Sequence, residues 1–216
     1  MRYHSTRGGD PDRNFTDILM AGLAPDGGLY VPEILPDYDW GKILEGGTYT
    51  DTAFHIIRPF LGGTIPDDDV RAIIDDTYGP TFTHPSITPV HDMGDGLFIM
   101  DLFHGPTLAF KDVALQLLGR LLDHHLRQTG RHVTIIGATS GDTGSAAIEG
   151  CKHIANANIV ILHPHGRTSE VQRRQMTCAT GENIHNIAIE GSFDDCQRIV
   201  KTLFGTGAFR SAQNLT

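Results

Sequence analysis

Two patterns of apolar residues divide the chain near residue 88. Before it, apolar residues recur at helical spacing in short segments, such as the one beginning at Phe15 and the one from Thr50 to Leu61. Turns rich in glycine and proline separate these segments. After residue 88, apolar runs of strand length alternate with amphipathic stretches of helix length. We therefore expect a mixed α/β domain over residues 1–87 and a second α/β domain over residues 88–216.

Residues typical of helix ends indicate where the helices of the first domain begin and end. Asn14 or Thr16 is the expected N-cap of the first helix, and Gly62 ends the next one. Pro66 and the three aspartates after it open another helix, because proline and carboxylates both suit a first helical turn. A short strand is expected at residues 29–31, where a proline stops it.

In the second domain, predicted strands and helices alternate regularly along the chain. Four strands are predicted, at residues 97–103, 132–138, 158–164 and 183–190. Predicted helices run from Lys111 to about Gln128 and over the stretches SGDTGSAAIEGCK, SEVQRRQMTCAT and SFDDCQRIVKTLF. Strands alternating with helices of this length predict βαβ units and a parallel sheet. The strands are almost continuously apolar, which indicates that both faces of the sheet are covered.

Composition and charge narrow the class of protein. Hydrophobic residues make up 39% and charged residues 20%, as in ordinary globular proteins. The net charge of -9 and the lack of any Lys/Arg run argue against nucleic acid as a partner. No apolar run has the length of a membrane span, and the N-terminus has no signal-peptide pattern. A cytoplasmic location fits these features.

The three cysteines and twelve histidines show no spacing typical of a metal site or a disulfide framework. Cys151, Cys178 and Cys196 are far apart and odd in number, so we interpret them as small apolar residues on helices. No structural metal is expected. His4 and His104 are the histidines nearest to candidate functional loops.

Two loops carry the candidate chemistry, because ligands of parallel α/β sheets bind at the carboxyl ends of strands. One is HGPTLAFKD, at residues 104–112; the other is GATSGDTG, at residues 137–144. In the second loop, glycines, the hydroxyls of Ser140 and Thr143 and the unpaired N–H groups of the next helix form a cradle for an anion such as a carboxylate. The alternative is a capped helix start without a ligand. The spacing matches neither a Walker A loop nor a Rossmann GxGxxG loop.

Lys111 lies between Phe110 and a strongly apolar helix. One interpretation is a lysine whose apolar stem is buried and whose amine reaches water. However, the helix dipole at a first turn and the apolar neighbours disfavour the ammonium form. A neutral amine is a nucleophile that condenses with an aldehyde.

Longer stretches then make the sequence recognisable. GLAPDGGLYVPE at residues 22–33, FHGPTLAFKD at residues 103–112 and GATSGDTGSAA at residues 137–147, with STRG at residues 5–8, resemble the threonine synthases. These belong to the fold-type II family of pyridoxal-phosphate enzymes related to the tryptophan synthase β chain. The resemblance runs in order across essentially the whole chain.

The resemblance implies the cofactor, the site and the reaction. Lys111 would hold pyridoxal 5'-phosphate, Phe110 would flank it, unless it packs in the core, and Asp142 would lie near the cofactor's phenolic oxygen, where many relatives carry asparagine. The residues implied to receive the substrate carboxylate are Thr139, Ser140, Gly141, Asp142, Thr143 and Gly144. The implied enzyme is a carbon–oxygen lyase that converts O-phospho-L-homoserine and water to L-threonine and phosphate.

Alternatives of the same fold are a phospho-lyase that releases phosphate without making threonine, and a non-catalytic domain. Arg7 is a candidate for holding the substrate phosphate, unless it forms a surface or interdomain salt bridge. The family's second glycine-rich loop, which holds the cofactor phosphate, has no counterpart before Thr216. We therefore expect an N-terminal fragment whose α/β fold is incomplete at the C-terminus, with weak cofactor binding and little or no activity.

Overall fold

The computed structural model describes residues 1–45 and 47–216, which form two compact units, Met1–Ile87 and Thr88–Thr216. Within these described residues, every helix is too short or too polar to span a lipid bilayer.

The described residues of the first unit form two short strands and four helices. They are β1 (Tyr3–Ser5), α1 (Phe15–Ala21), β2 (Tyr30–Pro32), α2 (Trp40–Leu44), α3 (Tyr49–Leu61) and α4 (Asp67–Tyr78). The predicted terminating residues are confirmed: Asn14 caps α1, and Gly62 takes a left-handed conformation after α3. β1, which pairs antiparallel with β2, and α2 were not predicted, because both are too short to show a period.

Asp26 joins the STRG stretch to the turn before β2. Its carboxylate accepts hydrogen bonds from Ser5 Oγ at 2.7 Å, Gly9 N at 2.8 Å and Gly28 N at 2.9 Å. These bonds, with that of Ser5 the strongest, lower the pKa of Asp26. Arg7 Nη1 donates to the backbone carbonyl of Asp26 at 2.9 Å, so this guanidinium helps to hold the turn.

The second unit contains five strands and five helices among the described residues. They are β3 (Val90–Asp92), β4 (Phe98–Met100), α5 (Asp112–Thr129), β5 (Val133–Ala138), α6 (Asp142–Cys151), β6 (Ala157–Pro164), α7 (Glu170–Thr177), β7 (Ile184–Ile189), α8 (Phe193–Gly205) and α9 (Gly207–Ala212). β5, β6 and β7 form a parallel sheet in that order, with α6 and α7 as the connections. The predicted βαβ units are therefore confirmed.

The predicted strand at residues 97–103 is wrong in length and in pairing. Only Phe98–Met100 is a strand, and it pairs antiparallel with β3 in a separate two-stranded sheet whose residues are all exposed. The cause is the turn before it, where Gly94, Asp95 and Gly96 all have positive φ and return the chain as a hairpin. The loop at residues 104–112 consequently does not follow a strand of the parallel sheet.

The centre of the parallel sheet is β6. Ile159, Ile161 and Leu162 are buried, as expected for a strand that is covered on both faces. The polar end of the chain also reaches this sheet: Thr134 N donates to Asn214 O at 3.0 Å, and Thr216 N donates to Thr134 O at 3.1 Å. This isolated parallel bridge lies on the edge of β5 opposite β6.

Burial separates the three cysteines. Cys151 and Cys196 are buried, and burial raises the pKa of the Cys151 thiol to about 11. Both fit the interpretation as apolar core residues. Cys178 follows α7 and is exposed, so that interpretation is wrong for it.

Two glycines bring α5 and α6 into backbone contact. A Cβ on Gly119 would lie 2.0 Å from Gly150 O, and one on Gly150 would lie 2.5 Å from Leu115 O. α5 leads into β5 and α6 leads out of it, so the two helices run in the same direction. Each contact glycine lies eight positions after Lys111 or Asp142, which at 1.5 Å per residue is about 12 Å. The starts of the two helices therefore lie side by side.

We expect Gly119→Ala to lower the free energy of unfolding by about 1–3 kcal/mol, because the added methyl would separate α5 from α6. Gly205→Ala in α8 is the matched control, since a Cβ there would meet nothing within 4 Å. The control substitution should be neutral or slightly stabilising, because alanine is the better helix former. Urea unfolding followed by circular dichroism measures both changes, and equal effects would contradict the close-contact account.

Candidate active site

The loop at residues 104–112 folds back on a buried carboxylate, Asp112. Its Oδ2 accepts from Thr107 N at 2.8 Å, and its Oδ1 accepts from Thr107 Oγ1 at 2.8 Å and from Gln116 Nε2 at 3.4 Å. Gly105 is needed because a Cβ there would lie 2.4 Å from the Asp112 Cβ. Asp112 is 0% exposed, so its role is to shape the loop that carries Lys111. Sequence reasoning did not single out Asp112.

Lys111 is the N-cap residue of α5 and is partly exposed. Its Nζ lies 4.8 Å from the centroid of the Phe110 ring, and no carboxylate within the described residues pairs with it. By contrast, Lys42 and Lys152 have carboxylate partners at 3.3 and 2.6 Å. Phe110 is 55% exposed, so the alternative that it packs in the core is wrong. The loop thus presents an amine beside an open aromatic face.

Among the described residues, the backbone N–H groups at the start of α5 are already hydrogen-bonded and cannot bind an anion. The N–H groups of residues 112–114 donate to the carbonyl oxygens of residues 109–111, at 3.0, 3.3 and 3.2 Å. Leu108, just before these residues, has a positive φ of 60°, a conformation that non-glycine residues rarely adopt. The tight loop therefore uses up its own backbone donors and leaves the Lys111 amine as its reactive group.

The side chain of Thr139 stabilises the second loop, at residues 137–144, through hydrogen bonds to its backbone. Its Oγ1 accepts from Gly141 N and from Gly144 N, each at 3.0 Å, and donates to Gly141 O at 3.0 Å. The hydroxyl is thereby saturated and only 3% of the residue is exposed. Thr139 and the N–H groups of both glycines shape the loop and have no capacity left for a ligand.

The free donors of this loop lie at its exposed positions. Ser140, Asp142 and Thr143 are exposed, while Gly141 and Gly144 are buried. The N–H groups of Asp142 and Thr143 and the hydroxyls of Ser140 and Thr143 have no partner in the part of the chain that the structure describes. These four donors lie within residues 140–143, at the start of α6, where the helix dipole also favours an anion.

Helix α7 touches both loops, which sequence reasoning did not predict. Gln172 Nε2 donates to Asp142 Oδ1, and Gln175 Nε2 donates to Thr107 O at 2.9 Å. The two glutamines are three positions apart and so lie on one face of the helix. The available signal was this spacing in a helix that directly follows β6.

The remaining candidate residues divide between the two units. Arg7 and the exposed His4 belong to the first unit. His104 lies at the start of the Lys111 loop, with its Nε2 3.4 Å from Asp101 Oδ2. Asp101 also accepts from His91 at 2.9 Å, and the bonds from His91 and then His104 lower its pKa.

Two models of known protein families match this chain, one in each part of it. Residues 2–78 match the profile described as threonine synthase N terminus, and residues 74–213 match the profile described as pyridoxal-phosphate dependent enzyme. Threonine synthase of Pseudomonas aeruginosa is 56% identical over 100% of this chain and 46% of its own length.

Solved structures agree with these matches. Pyridoxal-phosphate-bound threonine synthase from Brucella melitensis superposes with a TM-score of 0.93 at 48% identity, over 100% of this chain and 47% of that one. Threonine synthase from yeast gives a TM-score of 0.90 at 39% identity, over 99% of this chain and 45% of that one. The chain spans about half the length of the curated relatives it matches.

The chain therefore belongs to the pyridoxal-phosphate dependent enzyme family. Within that family it is a homologue of the threonine synthases, matching them over its full length and over the first part of the enzyme. The resemblance drawn from the sequence motifs is confirmed at this level.

The residues of the site fit the family's cofactor. An amine without a carboxylate partner, Lys111, is available to an aldehyde, and the exposed ring of Phe110 offers an apolar face to an aromatic group. The donors at the start of α6 suit an anionic group of a ligand bound next to that amine. Lys111 is therefore the candidate residue for holding pyridoxal phosphate, as the sequence resemblance implies.

We expect Thr139→Val to cost about 1–3 kcal/mol of unfolding free energy, because the buried N–H of Gly141 would lose its acceptor, while that of Gly144 would keep only Gly141 O. Thr139→Ser should restore most of this loss. Thr143→Val is the matched control, since that hydroxyl is exposed and has no partner in the described chain, and its stability should stay within experimental error. Thermal and urea unfolding measure the differences. A Thr139→Val protein as stable as the control would show that the Thr139 hydroxyl does not stabilise the loop.

Proposed function

We propose that this chain supplies the lysine and the carboxylate-binding loop of a threonine synthase, which converts O-phospho-L-homoserine and water to L-threonine and phosphate. The observation that carries the proposal is the Lys111 amine, which no carboxylate of the described residues pairs with. Its loop is linked through α7 to Asp142 at the start of α6. An α-amino acid needs both features at once, a lysine for its amino-group chemistry and an anion site for its carboxylate.

In the proposed reaction, the donors at the start of α6 bind the substrate carboxylate. These are the N–H groups of Asp142 and Thr143 and the hydroxyls of Ser140 and Thr143. They fix the substrate so that its Cα proton faces the Lys111 amine, and Phe110 covers one side of the site. Holding a reactant in one orientation removes much of the entropic barrier to reaction.

Lys111 then acts as the general base. The cofactor, when bound, supplies an electron sink for the charge that develops at Cα. The Lys111 amine takes the proton from Cα. Phosphate leaves Cγ, and the proton lost from Cβ is moved to Cγ, which becomes the methyl carbon. Water then adds its hydroxyl to Cβ, and a proton returns to Cα. Gln172 binds Asp142 Oδ1, so Oδ2 is the oxygen of this carboxylate that is left to accept a hydrogen bond.

Borohydride trapping tests the role of Lys111. We expect pyridoxal phosphate followed by borohydride to modify Lys111 well in excess of Lys42, Lys152 and Lys201, the other lysines of the chain. The reason is that Lys111 is positioned at the ligand loop and has no carboxylate partner. Peptide mapping by mass spectrometry measures the distribution.

The control for this experiment is Lys201→Ala, which removes an exposed lysine and should leave the trapping at Lys111 unchanged. Lys111→Ala should remove the dominant product. Equal modification of all four lysines, or trapping that survives Lys111→Ala, would contradict the assignment. The phospho-lyase alternative is separated by the product of the full-length enzyme: phosphate with threonine supports our proposal, and phosphate without threonine supports the alternative.

A further inference from the structure

We infer that Gln172 and Gln175 are positioning residues of the candidate active site, which set the spacing between the Lys111 loop and the loop at residues 139–144. The inference rests on the proposed function for its consequence, the alignment of Lys111 with the substrate carboxylate. The contacts themselves are those of one face of α7 with two loops that are far apart in the sequence.

The hydrogen-bond network determines which way the Gln172 amide points. Ser169 Oγ donates to Gln172 Oε1 at 2.9 Å, so the amide oxygen faces Ser169 and the NH₂ group faces Asp142. Because the N–H donor occupies Asp142 Oδ1, only Oδ2 stays open to a ligand. Gln172 therefore fixes the direction in which Asp142 presents its free oxygen.

Gln175 fixes the other loop. It donates to the carbonyl oxygen of Thr107, the residue whose N–H and hydroxyl both bind Asp112. Thr107 thus links α7 to the buried carboxylate next to Lys111. A displacement of α7 at this point would shift the base of the loop that carries the amine.

α7 itself is firmly attached to the second unit, so it can act as a reference for both loops. Met176 is fully buried, and a Cβ on Gly144 would lie 2.6 Å from its Sδ. At the end of the helix, Asn186 Nδ2 of β7 donates to Met176 O at 3.0 Å. A Cβ on Gly141 would likewise lie 2.5 Å from the Gln172 amide, so the loop has room for α7 only because it has glycines.

An exchange of the two polar partners tests the inference. Gln172→Glu puts two carboxylates in contact, and we expect about a tenfold weaker apparent affinity for pyridoxal phosphate, the size of a lost charge-assisted hydrogen bond. The double variant Asp142→Asn/Gln172→Glu restores a bond of reversed polarity and should return the affinity to within about threefold of the parent. Trapping with borohydride over a range of cofactor concentrations gives the affinity, and the melting temperature reports folding.

Gln128→Glu is the control for the added charge, because Gln128 is exposed near the far end of α5. It should leave the affinity unchanged. A Gln172→Glu protein that binds like the parent, or one that the Asp142→Asn exchange does not rescue, would overturn the inference. A loss of affinity that only follows a lower melting temperature would also overturn it, because the role would then be merely structural.

Amide hydrogen exchange separates this inference from the proposed function, since it needs no cofactor. We expect Gln172→Glu to accelerate exchange at residues 139–144, and Gln175→Met to do so at residues 105–112, with Gln128→Glu unchanged. Unaltered exchange in both variants would overturn the positioning role. If the parent chain traps no cofactor at Lys111 while both loops loosen as expected, the proposed function fails and the positioning of the two loops stands.

Discussion

The backbone contact between α5 and α6 is the constraint on which the geometry of the candidate site depends. Gly150 packs against the carbonyl of Leu115, and Gly119 packs against Gly150, at distances that leave no space for a side chain. Helices that approach this closely are fixed in register as well as in separation. Their starts, and with them Lys111 and Asp142, are consequently aligned at the end of the sheet where β5 also ends. One pair of small residues thus brings together two loops that the sequence separates by about thirty positions.

In the two loops at the starts of α5 and α6, buried polar groups hold the backbone in shape, and exposed polar groups are left for ligands. Asp112 and Thr139 are almost completely buried, and their side chains form hydrogen bonds with their own loop or the helix beside it. Among the described residues of the two loops, side-chain groups without a partner lie on Lys111, Ser140 and Thr143, which are partly or fully exposed. This division follows from the cost of burying an unpaired polar group, which a folded protein avoids in its interior. It also explains why the motif stretches are long, since each needs both kinds of residue.

The sequence predicted most of the second unit because its local signals agree with one another. Ser192 at the start of α8, Gly130 at the end of α5 and the β-branched run of β5 mark those elements independently of tertiary contacts. The apolar run at residues 97–103 shows the limit of such signals. It indicates a strand but not its partner, and the turn at Gly94–Gly96 pairs it with β3 instead of the parallel sheet. Pairing is a non-local property that apolarity alone does not specify.

The reactive groups of the candidate site could be predicted from the sequence, but the residues that position them could not. Lys111 and the donors of residues 140–143 stand in recognisable stretches, because reactive groups need particular neighbours in the chain. The glutamines of α7 have no such neighbours, and their role exists only through contacts that cross from one loop to another. A glutamine on a helix is usually a solvated residue, and only the three-residue spacing of Gln172 and Gln175 after β6 distinguishes them from Gln128. Their role follows from the position of α7 after β6. There Gln172 packs against Gly141 of one loop, and Gln175 binds the carbonyl of Thr107 in the other.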